Sequence, residues 1–194
     1  MKLPEEVYVP SDDTYLLIEN LQVKPSDCVL EIGTGCGLVS LVAAQTARKV
    51  VATDISPIAV QCARKNVEYN HVSAKIEVRE GNLFEPIHEE EFFDLILFNA
   101  PYLPHERKTD SEQSDWLEKA WDGGGSGREL IDPFIRQCKN VLNPSGMVQL
   151  VQSTLSNDVE SCLLFEQQGF DVKIIATKAS FFEKIVLINA VLKD

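Results

Sequence analysis

The chain has no CxxC pair among its five cysteines, and its three histidines, His71, His88 and His105, show no metal-ligand spacing, so no metal site is expected. The cysteine number is odd, which argues against a disulfide framework and for reduced, mostly buried thiols. No apolar run approaches the ~20 residues that a membrane span needs. The opening MKLPEEVYVP is acidic and proline-bearing rather than a secretory apolar stretch, so a cytoplasmic location is expected. Basic residues are scarce as well: 18 Lys and Arg against 30 Asp and Glu leave a net charge of −12, which repels a polyanion. Internal repeats and low-complexity linkers are absent.

What remains is a 194-residue chain, 44% hydrophobic and 25% charged, long enough to bury one sizeable core. A single domain over 1–194 is expected. Its periodicities alternate. A helix is predicted over about 11–21, then a strand at 27–32, a glycine loop at 33–37, a helix at 38–47 and a strand at 49–54. Ser56-Pro57 starts a helix running to about Asn70, since serine suits the N-cap and proline the first turn. Strands at 75–80 and 94–99 precede a long Gly-, Pro- and Ser-rich loop at 100–127. A helix over 128–142, a turn at 143–146, a strand at 147–152, a helix at 156–168 and strands at 171–177 and 184–192 follow. Such alternation predicts an α/β fold: a mostly parallel sheet with helices on both faces, its last two strands an antiparallel pair.

The stretch 29-VLEIGTGCG-37 sets an apolar strand directly before three glycines, where the backbone can approach a ligand at the carboxyl ends of the strands. Asp54 ends the next strand, placed to accept ribose hydroxyls. A dinucleotide fingerprint fails, because its third glycine falls on Leu38. Glu31, just before the glycines, disfavours pyrophosphate and favours a cation. S-adenosylmethionine carries two, an ammonium and a sulfonium.

These residues resemble the class I S-adenosylmethionine-dependent methyltransferases: ExGxGxG from Glu31 to Gly37, Asp54 ending the second strand, and 81-GNLF-84 after the third. The resemblance implies a Rossmann-like seven-stranded sheet in the order 3-2-1-4-5-7-6. It also implies cofactor contacts at Glu31, Gly33, Thr34, Gly35, Gly37, Asp54, Ile55, Asn82, Leu83 and Asn99. Asn82 stands where the family commonly has an acid facing the adenine amino group, and its oxygen can accept the same hydrogen bond.

The fourth strand ends in 96-ILFNAPYLP-104, which resembles the [ND]PP[YFW] tetrad of methyltransferases acting on exocyclic or side-chain nitrogens. A planar NH2 group is a poor nucleophile because its lone pair is delocalised. Two acceptors holding both N–H groups orient that lone pair toward a methyl donor, and an aromatic face packs on the plane. The resemblance gives these roles to the Asn99 oxygen, the carbonyl of Ala100 and the ring of Tyr102. Ala100 replaces the usual proline but, preceding Pro101, is still held toward extended geometry.

Two further stretches narrow the family. The segment 8-YVPSDDTYLL-17 resembles YxPxEDTxLL, and 120-AWDGGGSGRELIDPFI-135 resembles WxGGxxGRExID, of the short eukaryotic and archaeal HemK-related glutamine methyltransferases. The first implies that Asp12, Asp13 and Thr14 edge the cofactor pocket, with Thr14 the contact. The second implies a substrate lip that includes Trp121 and a helix whose first turn carries Arg128 and Glu129. The implied substrate is the glutamine of a Gly-Gly-Gln motif in a class I release factor. The implied partner is a small zinc-binding activator subunit at the edge strand 75–80. Adenine N6-methylation of DNA or RNA, lysine methylation, and a non-enzymatic module that keeps the cofactor fold remain open, although nucleic acid suits the charge poorly.

Overall fold

The computed structural model describes residues 3–104, 116–179 and 182–193. Seven strands form one sheet: β1 (Cys28–Ile32), β2 (Lys49–Asp54), β3 (Ile76–Glu80), β4 (Phe93–Asn99), β5 (Leu142–Ser153), β6 (Phe170–Ala179) and β7 (Lys184–Leu192). Their spatial order is β3-β2-β1-β4-β5-β7-β6. Pairing is parallel from β3 to β5, and β7 runs antiparallel to both β5 and β6. The expected sheet, order and antiparallel last strand are thus present.

Strands covered on both faces are nearly continuous in apolar residues. On one face α1 (Asp12–Glu19), α2 (Leu38–Ala43) and α3 (Pro57–Tyr69) bury Leu17, Val39 and Ala63 against Val29, Ala52 and Leu97. On the other, α5 (Ile131–Cys138) and α6 (Asp158–Gln167) bury Phe134 and Phe165 against Ile96, Leu150 and Ile188. No disulfide joins any of the five cysteines, and three of them are buried.

Local chemistry fixes several boundaries. Ser56 caps α3 by accepting the Ala59 amide at 3.2 Å, with Pro57 opening the helix. The helix expected over 38–47 ends as α2 at Ala43, where Lys75 Nζ takes the carbonyls of Ala44 and Ala47 at 2.9 and 3.2 Å. The turn signal at 143–146 is a bulge within β5: Phe93 pairs with Leu142 and Leu95 already with Met147. Two departures bear on the site. The loop expected over 100–127 contains a short helix, α4 (Trp116–Lys119), and a bridge between Leu103 and Asp122; its residues 105–115 lie outside the described ones. The helix expected from residue 128 starts at Ile131, and before it the Glu129 amide donates to the Gly123 carbonyl at 3.0 Å.

Candidate active site

At the carboxyl ends of β1, β2 and β4 lies a cavity of about 500 Å³. It is lined by Thr14, Glu31, Gly33, Thr34, Gly35, Asp54, Ile55, Asn82, Leu83, Asn99, Ala100, Pro101 and Tyr102. Gly37 is set back. It caps α2 at a φ of 84°, with an added Cβ 3.3 Å from Ala63 Cβ, so it lets the helix start close to α3. Asp12 does not edge the cavity: it turns outward to Lys178, 2.7 Å away. Its neighbour Asp13 turns inward because consecutive side chains on a helix diverge by about 100°.

Glu31 is buried, and one of its oxygens accepts the hydroxyls of Thr34, at 2.7 Å, and of Ser40. Burial outweighs those two hydrogen bonds and pushes its carboxyl up to about 7. The folded value lies above the ordinary one of about 4.3, so this group favours the fold most below that pH and ceases to as pH rises through about 7. Glu31→Gln is therefore expected to raise the thermal midpoint of the cofactor-free protein by several degrees at pH 8 and hardly at pH 5. Equal shifts at the two pH values would contradict this account.

Asp54 joins the two turns that frame the cavity. One oxygen accepts the Gly35 amide at 2.8 Å and the other the Ser56 amide at 2.9 Å. Burial raises its carboxyl too, against those amides. Across the cavity, Leu83 is held at a φ of 46°, a left-handed conformation that a leucine adopts only under constraint. Phe98 lines the floor and packs on Phe134 at 4.6 Å between ring centres.

At the end of β4, Asn99 Nδ2 donates to Thr14 Oγ1 at 3.4 Å, a long hydrogen bond. Among the described residues, Asn99 Oδ1 is buried without a partner. A buried carbonyl oxygen left unpaired is costly, so an incoming N–H donor is favoured there. Tyr102 donates its hydroxyl to Asp13 Oδ2 at 3.2 Å, which pins the ring. Tyr8 donates to the same oxygen at 2.9 Å. Burial, with Asp13 next in effect, raises both phenols far above their ordinary value.

The glycine-rich segment supports this exit from behind. Leu103 donates its amide to the Trp121 carbonyl at 3.1 Å, and Gly123 donates to the Leu103 carbonyl at 2.9 Å. Gly127, at a φ of 73°, lies so close under the Tyr102 carbonyl that an added Cβ would overlap its oxygen. Arg128 does not face the cavity. It is buried against α6, giving Nη1 to the carbonyls of Ser156 and Asn157 at 2.6 and 2.8 Å and Nη2 to Asp132 at 2.6 Å. Of the expected lip, Ala120, Trp121 and Leu130 line the cavity while Arg128 and Glu129 do not.

Sequence reasoning had not singled out Tyr8, Val7, Trp116 or Lys119 as lining residues. Tyr8 stood inside the quoted 8–17 segment, and its aromatic ring was the available signal. Lys119 sits 4.4 Å over the Trp116 ring. With Asp13, Glu31 and Asp54 around it, the cavity favours a cationic ligand. Among the described residues no helix is long and apolar enough to cross a membrane.

Comparison with known proteins agrees with this chemistry. The model of the family described as "Methyltransferase small domain" matches residues 11–182. A Methanocaldococcus jannaschii protein named "Putative protein N5-glutamine methyltransferase MJ0928" is 43% identical over 192 residues, covering 98% of this chain and 94% of that one. The Homo sapiens methyltransferase HEMK2 is 30% identical over 177 residues, 84% of this chain and 79% of that protein. Among solved structures, the E. cuniculi Mtq2–Trm112 complex, described as responsible for the methylation of the eRF1 translation termination factor, matches with a TM-score of 0.72 at 25% identity. It covers 97% of this chain and 99% of the matched one. With its glycine loop and its Asn-Ala-Pro-Tyr exit on one cavity, the chain belongs to the methyltransferase small domain family, in the HemK-related branch of protein glutamine methyltransferases.

Proposed function

We propose that this enzyme uses S-adenosylmethionine to methylate the side-chain amide nitrogen of the glutamine in a Gly-Gly-Gln motif of a class I translation termination factor. The observation that carries this reading is the buried Oδ1 of Asn99, unpartnered among the described residues, on a side chain that lines the cavity beside the glycine loop. Glu31, Gly33, Thr34, Gly35, Asp54, Ile55, Asn82, Leu83 and Thr14 fit the cofactor: carboxylates for its cationic and hydroxyl groups, a close backbone for its body. When bound, it supplies a methyl group on an electron-poor sulfonium.

The remaining work falls to the end of β4. Asn99 Oδ1 and the Ala100 carbonyl accept the two N–H groups of the substrate amide, which turns the nitrogen lone pair toward the cofactor side. Pro101 keeps the Ala100 carbonyl in its extended setting. The Tyr102 ring, fixed by its hydroxyl on Asp13, forms the wall on which the planar amide packs. Flanking glycines let the substrate chain come close enough for its amide to reach these acceptors.

The charge of −12 argues against adenine in nucleic acid as the substrate, and a tetrahedral lysine nitrogen would use the planar acceptor pair less fully. Labelled S-adenosylmethionine incubated with a termination factor, or with DNA and RNA, separates these readings. Label is expected in the protein, and label in nucleic acid alone would overturn the proposal. Mtq2 is solved in complex with Trm112, and the position of β3 at the sheet edge supports a second chain pairing there, which we propose is a small zinc-binding activator subunit; a cytoplasmic enzyme is consistent with that substrate.

A cation placed beside Glu31 lowers its carboxyl from about 7, so cofactor binding near pH 6.5 is expected to release up to about three-quarters of a proton. Calorimetry in two buffers of different ionisation enthalpy checks this. Glu31→Gln should abolish the release and weaken binding by about tenfold or more. Release unaltered in that variant would remove Glu31 from the cation site.

A further inference from the structure

We infer that Asp13 and Thr14 form a polarity relay that decides which end of the Asn99 carboxamide faces the substrate. The inference rests on the reading in which Asn99 Oδ1 accepts a substrate N–H. A carboxamide presents an acceptor at one end and donors at the other, and nothing in its own shape selects between them. With the NH2 end forward, Asn99 would meet the substrate amide donor to donor. The clamp therefore needs an orienting device.

The structure supplies one from α1. Asp13 is buried, with its Oδ2 taken by the hydroxyls of Tyr8 and Tyr102 at 2.9 and 3.2 Å. Its Oδ1 accepts the Thr14 amide at 2.5 Å and the Thr14 hydroxyl at 3.1 Å. A carboxylate can only accept, so four donors converge on it and the single hydrogen of the Thr14 hydroxyl is committed toward Asp13. Toward Asn99 the same oxygen then has only lone pairs to offer. It accepts Asn99 Nδ2 at 3.4 Å, and Asn99 Oδ1, the other end of a carboxamide that lines the cavity, is buried and unpartnered among the described residues. Reversing the carboxamide would set an oxygen against that lone pair and leave the Thr14–Asp13 bond or the Asn99 contact unmade. Asp13 and Thr14 are thus positioning residues for Asn99, and the Tyr102 hydroxyl shares the same anchor.

Three variants test this. Thr14→Val, close in shape but without the oxygen, should lower turnover by about 10- to 100-fold, with a much smaller change in substrate KM. Thr14→Ser, which keeps the hydroxyl, should recover most of that loss. Asp13→Asn can donate to Thr14 and so free its hydroxyl hydrogen for Asn99, and it should resemble Thr14→Val in kinetics. In an Asn99→Asp background, whose side chain offers an acceptor whichever way it turns, Thr14→Val should cost less than about threefold further. A readout independent of turnover is the solvent exchange of the Asn99 Nδ2 protons by NMR in the cofactor-free protein, assigned by their loss in Asn99→Ala. Exchange should accelerate in Thr14→Val and stay slow in Thr14→Ser.

Unchanged exchange in Thr14→Val, or a loss of activity as large in the Asn99→Asp background as in the wild type, would overturn the relay. Both results leave the clamp standing. Full activity in Asn99→Ala would instead sink the clamp itself, so the two failures are distinct.

Discussion

Asn99→Ala is expected to reduce methyl transfer by about 100- to 1,000-fold, the usual cost of removing one preorganised hydrogen-bonding group from a reacting centre. The physical ground is the unpartnered Oδ1 at the end of β4. In the wild type that oxygen gains a partner only when a substrate N–H arrives, so its contribution appears on substrate binding and in the transition state. The variant should fold normally, because Asn99 ends its strand and, among the described residues, its side chain makes one long bond, to Thr14. Cofactor affinity should change far less than turnover. Asn99→Asp retains an acceptor and should keep more activity than Asn99→Ala. Steady-state kinetics together with cofactor titration read both quantities. Equal losses in affinity and turnover would place Asn99 in cofactor binding alone.

Gly127→Ala should cause the second large loss, and for a different reason. The residue adopts a φ of 73°, where any side chain costs about 1–2 kcal/mol. An added Cβ would also overlap the Tyr102 carbonyl oxygen and come within 3.0 Å of Ser156 Cβ. Neither neighbour can yield cheaply. One is backbone, and the other belongs to the segment that Arg128 clamps through the carbonyls of Ser156 and Asn157. We expect a loss of about 2–4 kcal/mol in stability. Turnover should fall at least tenfold as the Asn99–Tyr102 exit shifts. Gly125→Ala, whose Cβ meets nothing within 4 Å, serves as the control and should stay within about 0.5 kcal/mol of the wild type. Urea titration of the three proteins measures the difference. A Gly127→Ala protein as stable as the control would remove the support assigned to this loop.

The contrast between these two sites follows what local sequence can encode. Gly33, Gly35, Asp54 and Asn99 were legible because each sits at a fixed offset from an apolar strand, and a strand's carboxyl end is where an open α/β sheet places its ligands. The Ser56-Pro57 helix start was legible for a similar reason: capping is decided within four residues. Asp13 was harder. The resemblance of 8–17 put it at the edge of the cofactor pocket without a partner, and that partner, Tyr102, lies 89 residues away. The inward turn of Asp13 and the outward turn of Asp12 depend on which face of α1 meets the sheet, and both residues are acidic. The role of Gly127 depends on a carbonyl that the chain brings back from residue 102. Arg128 read as a helix residue because its spacing suits a first turn, but tertiary hydrogen bonds to Ser156, Asn157 and Ser161 at the start of α6 hold its side chain there.

A related lesson concerns Ala100. Its departure from proline removes a restriction on Asn99, and the structure shows another source of restraint at that residue. Thr14 Oγ1 lies on Asn99 Nδ2, and the Ala100 amide donates to the Val151 carbonyl at 3.3 Å. The exit is therefore held by α1 on one side, by β5 through that bond, and by the 121–127 loop from behind.

The central claim, that this cavity holds a planar amide for methylation, is tested most directly by mass spectrometry of the product. A class I termination factor is incubated with the enzyme and S-adenosylmethionine, digested and sequenced by fragmentation. The account predicts a single added methyl on the side-chain nitrogen of the glutamine that follows two glycines, and none when the enzyme carries Asn99→Ala. A methyl found on lysine, or on a nucleic acid base with the glutamine unmodified, would contradict it.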